Sequence, residues 1–175
     1  MTAFRIAAVF WALLLAGVAR ADTALALDRL CHRPDLAPII DRAAKRHHVS
    51  PLRLVVLMAS ESTCREDAVN PVTHTLGLFQ ILTTGSANPG HLAPAQLLDP
   101  DGNADLGAAH LARLLRLCGS FGGALAVFHG RRFCSSWRSD KHVRLVIEME
   151  RALSRWIHGK ELKTWPLRED ADHLG

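Results

Sequence analysis

Apolar and polar positions along the chain recur mostly with the 3.6-residue period of a helix, and the strict alternation of a half-buried strand is scarce. Residues 35–48 place Leu36, Ile39, Ile40 and Ala43 on one side and Arg42, Lys45 and Arg46 on the other, which predicts a first amphipathic helix. Ser50 followed by Pro51 is the pairing expected at a helix start, so a second helix is predicted from Pro51 to Thr63. Asp99-Pro100 has the same character, and the periodic run from Asn103 to Cys118 stops at Gly119. Gly122-Gly123 reads as a break before a short segment, Ala124 to Phe128. A last helix, Lys141 to His158, carries the stripe Val143, Ile147, Leu153, Trp156 and Ile157, with Arg144 and Glu148 as an outward i,i+4 pair. Residues 65–97 are rich in Asn, Pro, Thr, Gly and His and hold no sustained period, so they read as irregular loops with room for a small β-hairpin.

The second helix differs from the others. In "LVVLMASESTC", residues 54–64, six apolar residues run directly into Ser60, Glu61 and Ser62. Glu61 lies three, four and seven residues after Met58, Leu57 and Leu54, on one face with them, while Val55 and Val56 make the opposite side apolar. A helix apolar all round is buried. A carboxyl group in such surroundings has its charged form disfavoured, and a carboxyl that keeps its proton near neutrality can serve as a general acid. A buried glutamate satisfied by a cap or by an arginine produces the same pattern, so this residue alone leaves both roles open.

Composition narrows the classes. With 175 residues, 49% hydrophobic and 22% charged, the chain is globular and of one-domain length. Arg5 precedes a thirteen-residue apolar run, Ile6 to Val18, which closes on Ala19-Arg20-Ala21, an A-x-A cleavage pattern. Spanning a bilayer takes about 20 residues. Residues 1–21 are therefore expected to be a cleaved signal peptide, 22–158 the domain and 159–175 a polar peripheral tail, giving an exported, periplasmic protein with no membrane insertion after cleavage. Loss of Arg5 and Arg20 with the signal lowers the formal charge from +4 to +2, too mild for a nucleic-acid binder.

Four cysteines remain, Cys31, Cys64, Cys118 and Cys134, an even number that favours two disulfides in an exported chain. Three pairings exist. Cys118 with Cys134, flanking a short helical segment, and Cys31 with Cys64, at the outer ends of the first two helices, are the favoured ones. His129 between Cys118 and Cys134 raises zinc as an alternative, but no C-x-x-C or H-E-x-x-H spacing accompanies it. No metal and no cofactor is expected.

Several segments taken in order carry a resemblance. "ESTCREDAVNP", then "LGLFQI", "LLDPDGNADLGAAHLARLL" and "ALAVFHG" look like the lytic transglycosylase family, the SLT domain with a goose-type-lysozyme-like fold, over roughly residues 35–130. The resemblance implies a mostly α, lysozyme-like single domain. Glu61 then matches the family's catalytic acid and Ser62 the serine beside it. Gly77, Leu78, Gln80 and Ile81 match the groove segment, with Phe79 where methionine is usual, and Asn103 and Gly107 match a helix start. Phe128 and His129 stand where the family has tyrosine and asparagine, with Gly130 in place of the small residues that follow. Ser62, Phe79, Gln80, Phe128 and His129 are thereby candidate substrate contacts. Outside the resemblance, Ser62 fits a helix cap, Gln80 a buried amide, His129 an exposed loop, and Trp137 either a sugar platform or core packing.

The family's reaction has a physical logic. Ordinary glycosidases use two carboxyl groups. A lytic transglycosylase cleaves between N-acetylmuramic acid and N-acetylglucosamine in peptidoglycan glycan strands with one. The acid protonates the leaving oxygen, then as carboxylate takes the proton of the muramic C6 hydroxyl, which closes a 1,6-anhydro ring. Glu66 and Asp67 in a loop and Asp99 at a helix start read as solvated or structural, and a hydrolytic variant would need one of them to activate water. The small size resembles members that open the wall locally for secretion, conjugation or pilus machines, whose components are the expected partners. The chain contains no tyrosine. That departure motivates a second reading, a non-catalytic peptidoglycan-binding or assembly protein on the same fold.

Overall fold

A computed structural model describes residues 22–159. Residues 1–21, expected as a signal peptide, and 160–175, nearly all of the expected tail, lie outside the described residues. Helix α1 covers 22–31 and leads through a 3₁₀ turn, Pro34–Leu36, into α2, Ala37–His47. Helix α3, Pro51–Ser62, is followed by strands β1 (Val69–Asn70), β2 (Thr75–Leu76) and β3 (Ile81–Leu82). A single turn, α4 (Pro94–Leu97), precedes the long α5 (Pro100–Cys118), then α6 (Phe121–Phe128), a second 3₁₀ turn (Cys134–Arg138) and α7 (Lys141–Ile157).

The core is built around α3. Leu54, Val55, Val56, Leu57 and Met58 have no accessible surface at all, so every side of this helix is covered, as its unbroken apolar run requires. Helix α7 packs on α3 and α6, while α5 packs on α2 and α6. Full burial of each of these side chains is worth about 1.5–3 kcal/mol, and truncating Leu57 to alanine is expected to cost about 3 kcal/mol. The three strands form one antiparallel sheet in the order β1-β2-β3, with Val69 opposite Leu76 and Leu76 opposite Ile81. It occupies part of the stretch read as loops with room for a hairpin.

Both expected disulfides are present, Cys31–Cys64 and Cys118–Cys134. With their sulfurs bonded to each other, Cys118 and Cys134 are not available as zinc ligands beside His129. The first bridge ties α1 to Cys64, two residues past the end of α3. The second ties the end of α5 to the 3₁₀ turn before α7.

The sequence reading missed α1, although Thr23, Ala26, Leu27 and Leu30 fall at i, i+3, i+4 and i+7, and the first three of them are buried. The glycine pair was read as a break and is instead the first turn of α6. A Cβ on Gly122 would stand 2.9 Å from Cδ2 of Trp137, and one on Gly123 would stand 2.9 Å from Cβ of Cys118. These glycines are there for close packing, not to end a helix. Trp137 accordingly leans on α6, with the Arg138 guanidinium 5.2 Å from its ring. Ser50 holds the N-cap position of α3 but makes no side-chain cap, whereas Asp99 does cap α5, its carboxylate accepting from Gly102 N–H at 2.8 Å.

Candidate active site

Glu61 sits in the last turn of α3, and the way that helix ends fixes where its carboxyl points. Thr63 and Cys64 adopt left-handed backbone conformations, φ 53° and 61°, which stop the helix within two residues of Glu61. Such conformations cost of order 1 kcal/mol each for non-glycine residues and persist where surroundings over-determine them. Here the surroundings are the Cys31–Cys64 bridge and Ser62, whose hydroxyl donates to Leu78 O at 2.8 Å and approaches Met58 O at 3.2 Å. Ser62 is buried, so it straps the helix end to the 77–81 segment.

That segment is held from beneath by Asn103, which has no accessible surface. Its Oδ1 accepts from Phe79 N–H at 2.8 Å, and its Nδ2 donates to Leu76 O at 2.8 Å and Leu97 O at 2.7 Å. Gly77 turns at φ 76°, and a Cβ there would stand 2.4 Å from the Asn103 amide nitrogen. Gly107 leaves room for the Phe79 ring, whose Cγ lies 2.4 Å from where a Cβ would be. Phe79 is fully buried as a result. It supports the groove segment from below and offers no face to a sugar, contrary to its place among the expected contacts. Gln80 is also occupied internally: its Oε1 accepts from the Thr75 hydroxyl at 2.8 Å, and its Nε2 donates to Gly77 O at 3.0 Å and Ala68 O at 3.3 Å. One lone pair of Oε1 is left for a ligand.

On the other side of Glu61 stands His129, the C-cap of α6, with Nε2 2.7 Å from Glu61 Oε1. The two side chains are only 15% and 14% exposed. Oε1 and both ring nitrogens are enclosed yet lack an aligned hydrogen bond. The pair is therefore a close polar contact whose N–H axis is off the oxygen, and such contacts often align only when substrate arrives. The rings of Phe128 and of His110 in α5 meet in a T-shaped arrangement, centroids 5.1 Å apart. His110 is held to about 4, first by burial and then by the charge of Arg113.

The sequence reading missed His142, whose ring lies 4.7 Å from that of His129 at 59°. Asp140 brings it there. This aspartate caps α7 by accepting from Val143 N–H at 3.2 Å and also accepts from Arg131 Nε at 2.7 Å. Burial alone would raise the Asp140 carboxyl, but the Arg131 and backbone hydrogen bonds hold it below its usual range. His142 is pushed below the ordinary imidazole range by burial first and by His129 second, against the opposite pull of Glu61 and Asp140. The only sequence signal for it was the S-D-K-H start of α7, which fixes a helix turn but not its neighbour.

The other carboxylates singled out in the sequence are engaged elsewhere. Glu66 pairs with Arg33 at 3.0 Å, Asp67 with Arg65 at 3.2 Å, and Asp99 caps α5. A cleft of about 230 Å³ between α2 and α5 contains no residue of this constellation, and its charges are matched, Arg42 to Asp101 and Arg46 to Asp105. It is a seam between two helices.

A buried helix ending in a carboxyl, a short antiparallel sheet beside it and helices closing the far side define the lysozyme-like class of domain. The Transglycosylase SLT domain model matches residues 38–140, well over half of the chain, and the protein belongs to that family, the lytic transglycosylases. No curated protein and no solved structure matches it. The family acts on peptidoglycan outside the cytoplasm, and two disulfides agree with an oxidising compartment. Among the described residues no helix is long and apolar enough to cross a membrane.

Proposed function

We propose that the protein is an exported peptidoglycan lytic transglycosylase that cleaves the β-1,4 bond from N-acetylmuramic acid to N-acetylglucosamine, with Glu61 as acid and then base. The observation that carries this reading is the position of Glu61, 15% exposed at the end of a helix whose Leu54–Met58 run is fully buried, while the nearby carboxylates of Glu66, Asp67 and Asp99 each have another partner. A hydrolytic mechanism needs a second carboxyl group to activate water. An anhydro-forming one does not, because the muramic C6 hydroxyl attacks C1 and returns its proton to the carboxylate. Local opening of the wall for a secretion, conjugation or pilus machine fits the small size of the domain.

The test is release of 1,6-anhydro muropeptides from purified sacculi, followed by mass spectrometry. Wild type is expected to release them and Glu61→Gln to lose activity by about 10³-fold, within the range for removing a general acid. Phe128 in place of tyrosine favours the second reading, a peptidoglycan-binding protein without chemistry. Sacculus binding by wild type and Glu61→Gln alike, with product from neither, would establish that alternative and overturn the first.

A further inference from the structure

Position 128 cannot hold the acid, since phenylalanine has no hydroxyl and its ring is engaged with His110. The next residue touches it instead. The end of α6 is closed by three backbone bonds, His129 N–H to Leu125 O at 2.9 Å, Gly130 N–H to Val127 O at 3.0 Å and Arg131 N–H to Ala126 O at 2.9 Å. They fix the Cα of His129 and with it the reach of the imidazole. The Arg131–Asp140 pair then folds the start of α7 back, so that the His142 ring stands 4.7 Å from that of His129, tilted by 59°. Of the two carboxyl oxygens, Oε1 is the enclosed one that faces Nε2.

We propose that His129 is the positioning residue for Glu61, its Nε2–H engaging Oε1 so that the proton used in cleavage resides on Oε2, with His142 holding the imidazole in place. This inference rests on the transglycosylase reading. In the first step the Oε2 proton passes to the glycosidic oxygen as the bond from C1 breaks. In the second the C6 oxygen bonds to C1 and its proton returns to Oε2. Once substrate has brought it into line, Nε2–H donates to Oε1 through both steps and favours the carboxylate between them. The tautomer with the proton on Nε2 is required, and the His142 ring 4.7 Å away limits how far the imidazole can swing from Oε1.

The experiment compares wild type, His129→Ala and His129→Gln on sacculi, resolving kcat from KM, with unfolding temperature measured alongside. His129→Ala is expected to lose about 30-fold in kcat with KM within about twofold. Glutamine places an amide N–H close to where Nε2–H stands and is expected to recover to within about fivefold of wild type at the same unfolding temperature. His142→Phe, which keeps a ring against His129, is expected to stay within about threefold, and His142→Ala to fall further. Wild-type kcat in His129→Ala, a loss carried by KM alone, or glutamine no better than alanine would overturn the positioning role. Absence of product from wild type sinks the parent reading and this one together, and is distinguished from failure of this one alone by the activity of wild type itself.

Discussion

Glu61 stands between two walls of opposite character. One is made by the end of α3, the 77–81 segment and α5, where Ser62, Gln80 and Asn103 have their polar groups tied to backbone or to each other's neighbours. The other is made by the end of α6 and the start of α7, where Oε1 of Glu61 and both nitrogens of His129 are enclosed without an aligned partner. Satisfied buried groups rigidify a fold, and unsatisfied ones cost stability. On the proposed reading the difference separates scaffold from chemistry: the first wall would hold Glu61 still, and the second would keep polar atoms in reserve for the reaction. Substitutions in the first should therefore be read in stability and those in the second in turnover.

The largest effect is expected at Asn103. Its replacement by alanine strips partners from Phe79 N–H, Leu76 O and Leu97 O at once. Each buried group left unpaired costs about 1–3 kcal/mol, so a total of about 4 kcal/mol is expected in urea unfolding. His129→Ala should change unfolding by less than about 1 kcal/mol, because its ring nitrogens have no aligned bonds to lose. Equal stability losses at the two positions would erase the distinction. Next comes Gly107→Ala. A methyl there meets the Phe79 ring at 2.4 Å, and overpacking is expected to cost about 1–3 kcal/mol in the same measurement and to lower activity by displacing the 77–81 segment.

A third test uses pH and the ring that backs Phe128. His110 is held to about 4 in the folded protein by burial and Arg113, against an ordinary value of 6.5. The folded pKa is depressed, so the unfolded chain binds the proton first as pH falls. Stability from this group is complete above pH 6.5 and is lost down to about pH 4. The shift corresponds to about 3 kcal/mol, and screening at a partly exposed ring lowers that to about 1–2 kcal/mol. His110→Gln should flatten the stability curve by that amount between pH 6.5 and 4 and leave it unchanged near pH 8. An unchanged slope would mean that the α5–α6 contact does not exclude the proton.

Much of the first wall was legible in the sequence, because its signals are local. The apolar run before Glu61 predicts burial of α3, the placement of the cysteines at the ends of expected helices favours the two bridges that form, and the ordered segments point to the SLT domain. What failed was the environment of particular atoms. Phe79 reads as a groove residue until Gly107 is seen beneath it, and the two glycines of α6 read as a break until Trp137 and Cys118 are placed against them. The second wall was half visible. His129 is marked in the sequence by standing where the family has asparagine, and His142 not at all. The two meet through the Arg131–Asp140 contact, and neither helical period nor motif spacing encodes which rings a turn brings together.

The smallest expected effect belongs to Glu66, and its smallness is informative. Of the acidic residues near Glu61 in sequence it is the one tied to a distant side chain, Arg33, which also pairs with Asp35. Both partners are partly exposed, so the pair is worth no more than about 1 kcal/mol. If turnover proceeds through the muramic C6 hydroxyl, no carboxylate beyond Glu61 has to activate water, and Glu66→Gln should release anhydro muropeptides within about twofold of wild type. A hydrolytic enzyme using Glu66 as its base would instead lose about 10²-fold or more and would yield reducing-end muramic acid from the wild type. The product's ring and the variant's rate must agree with each other. An anhydro product that nonetheless depends on Glu66 would mean that the loop after α3 bears on the acid, and the line drawn between a supporting wall and a reacting one would have to pass on the near side of that loop.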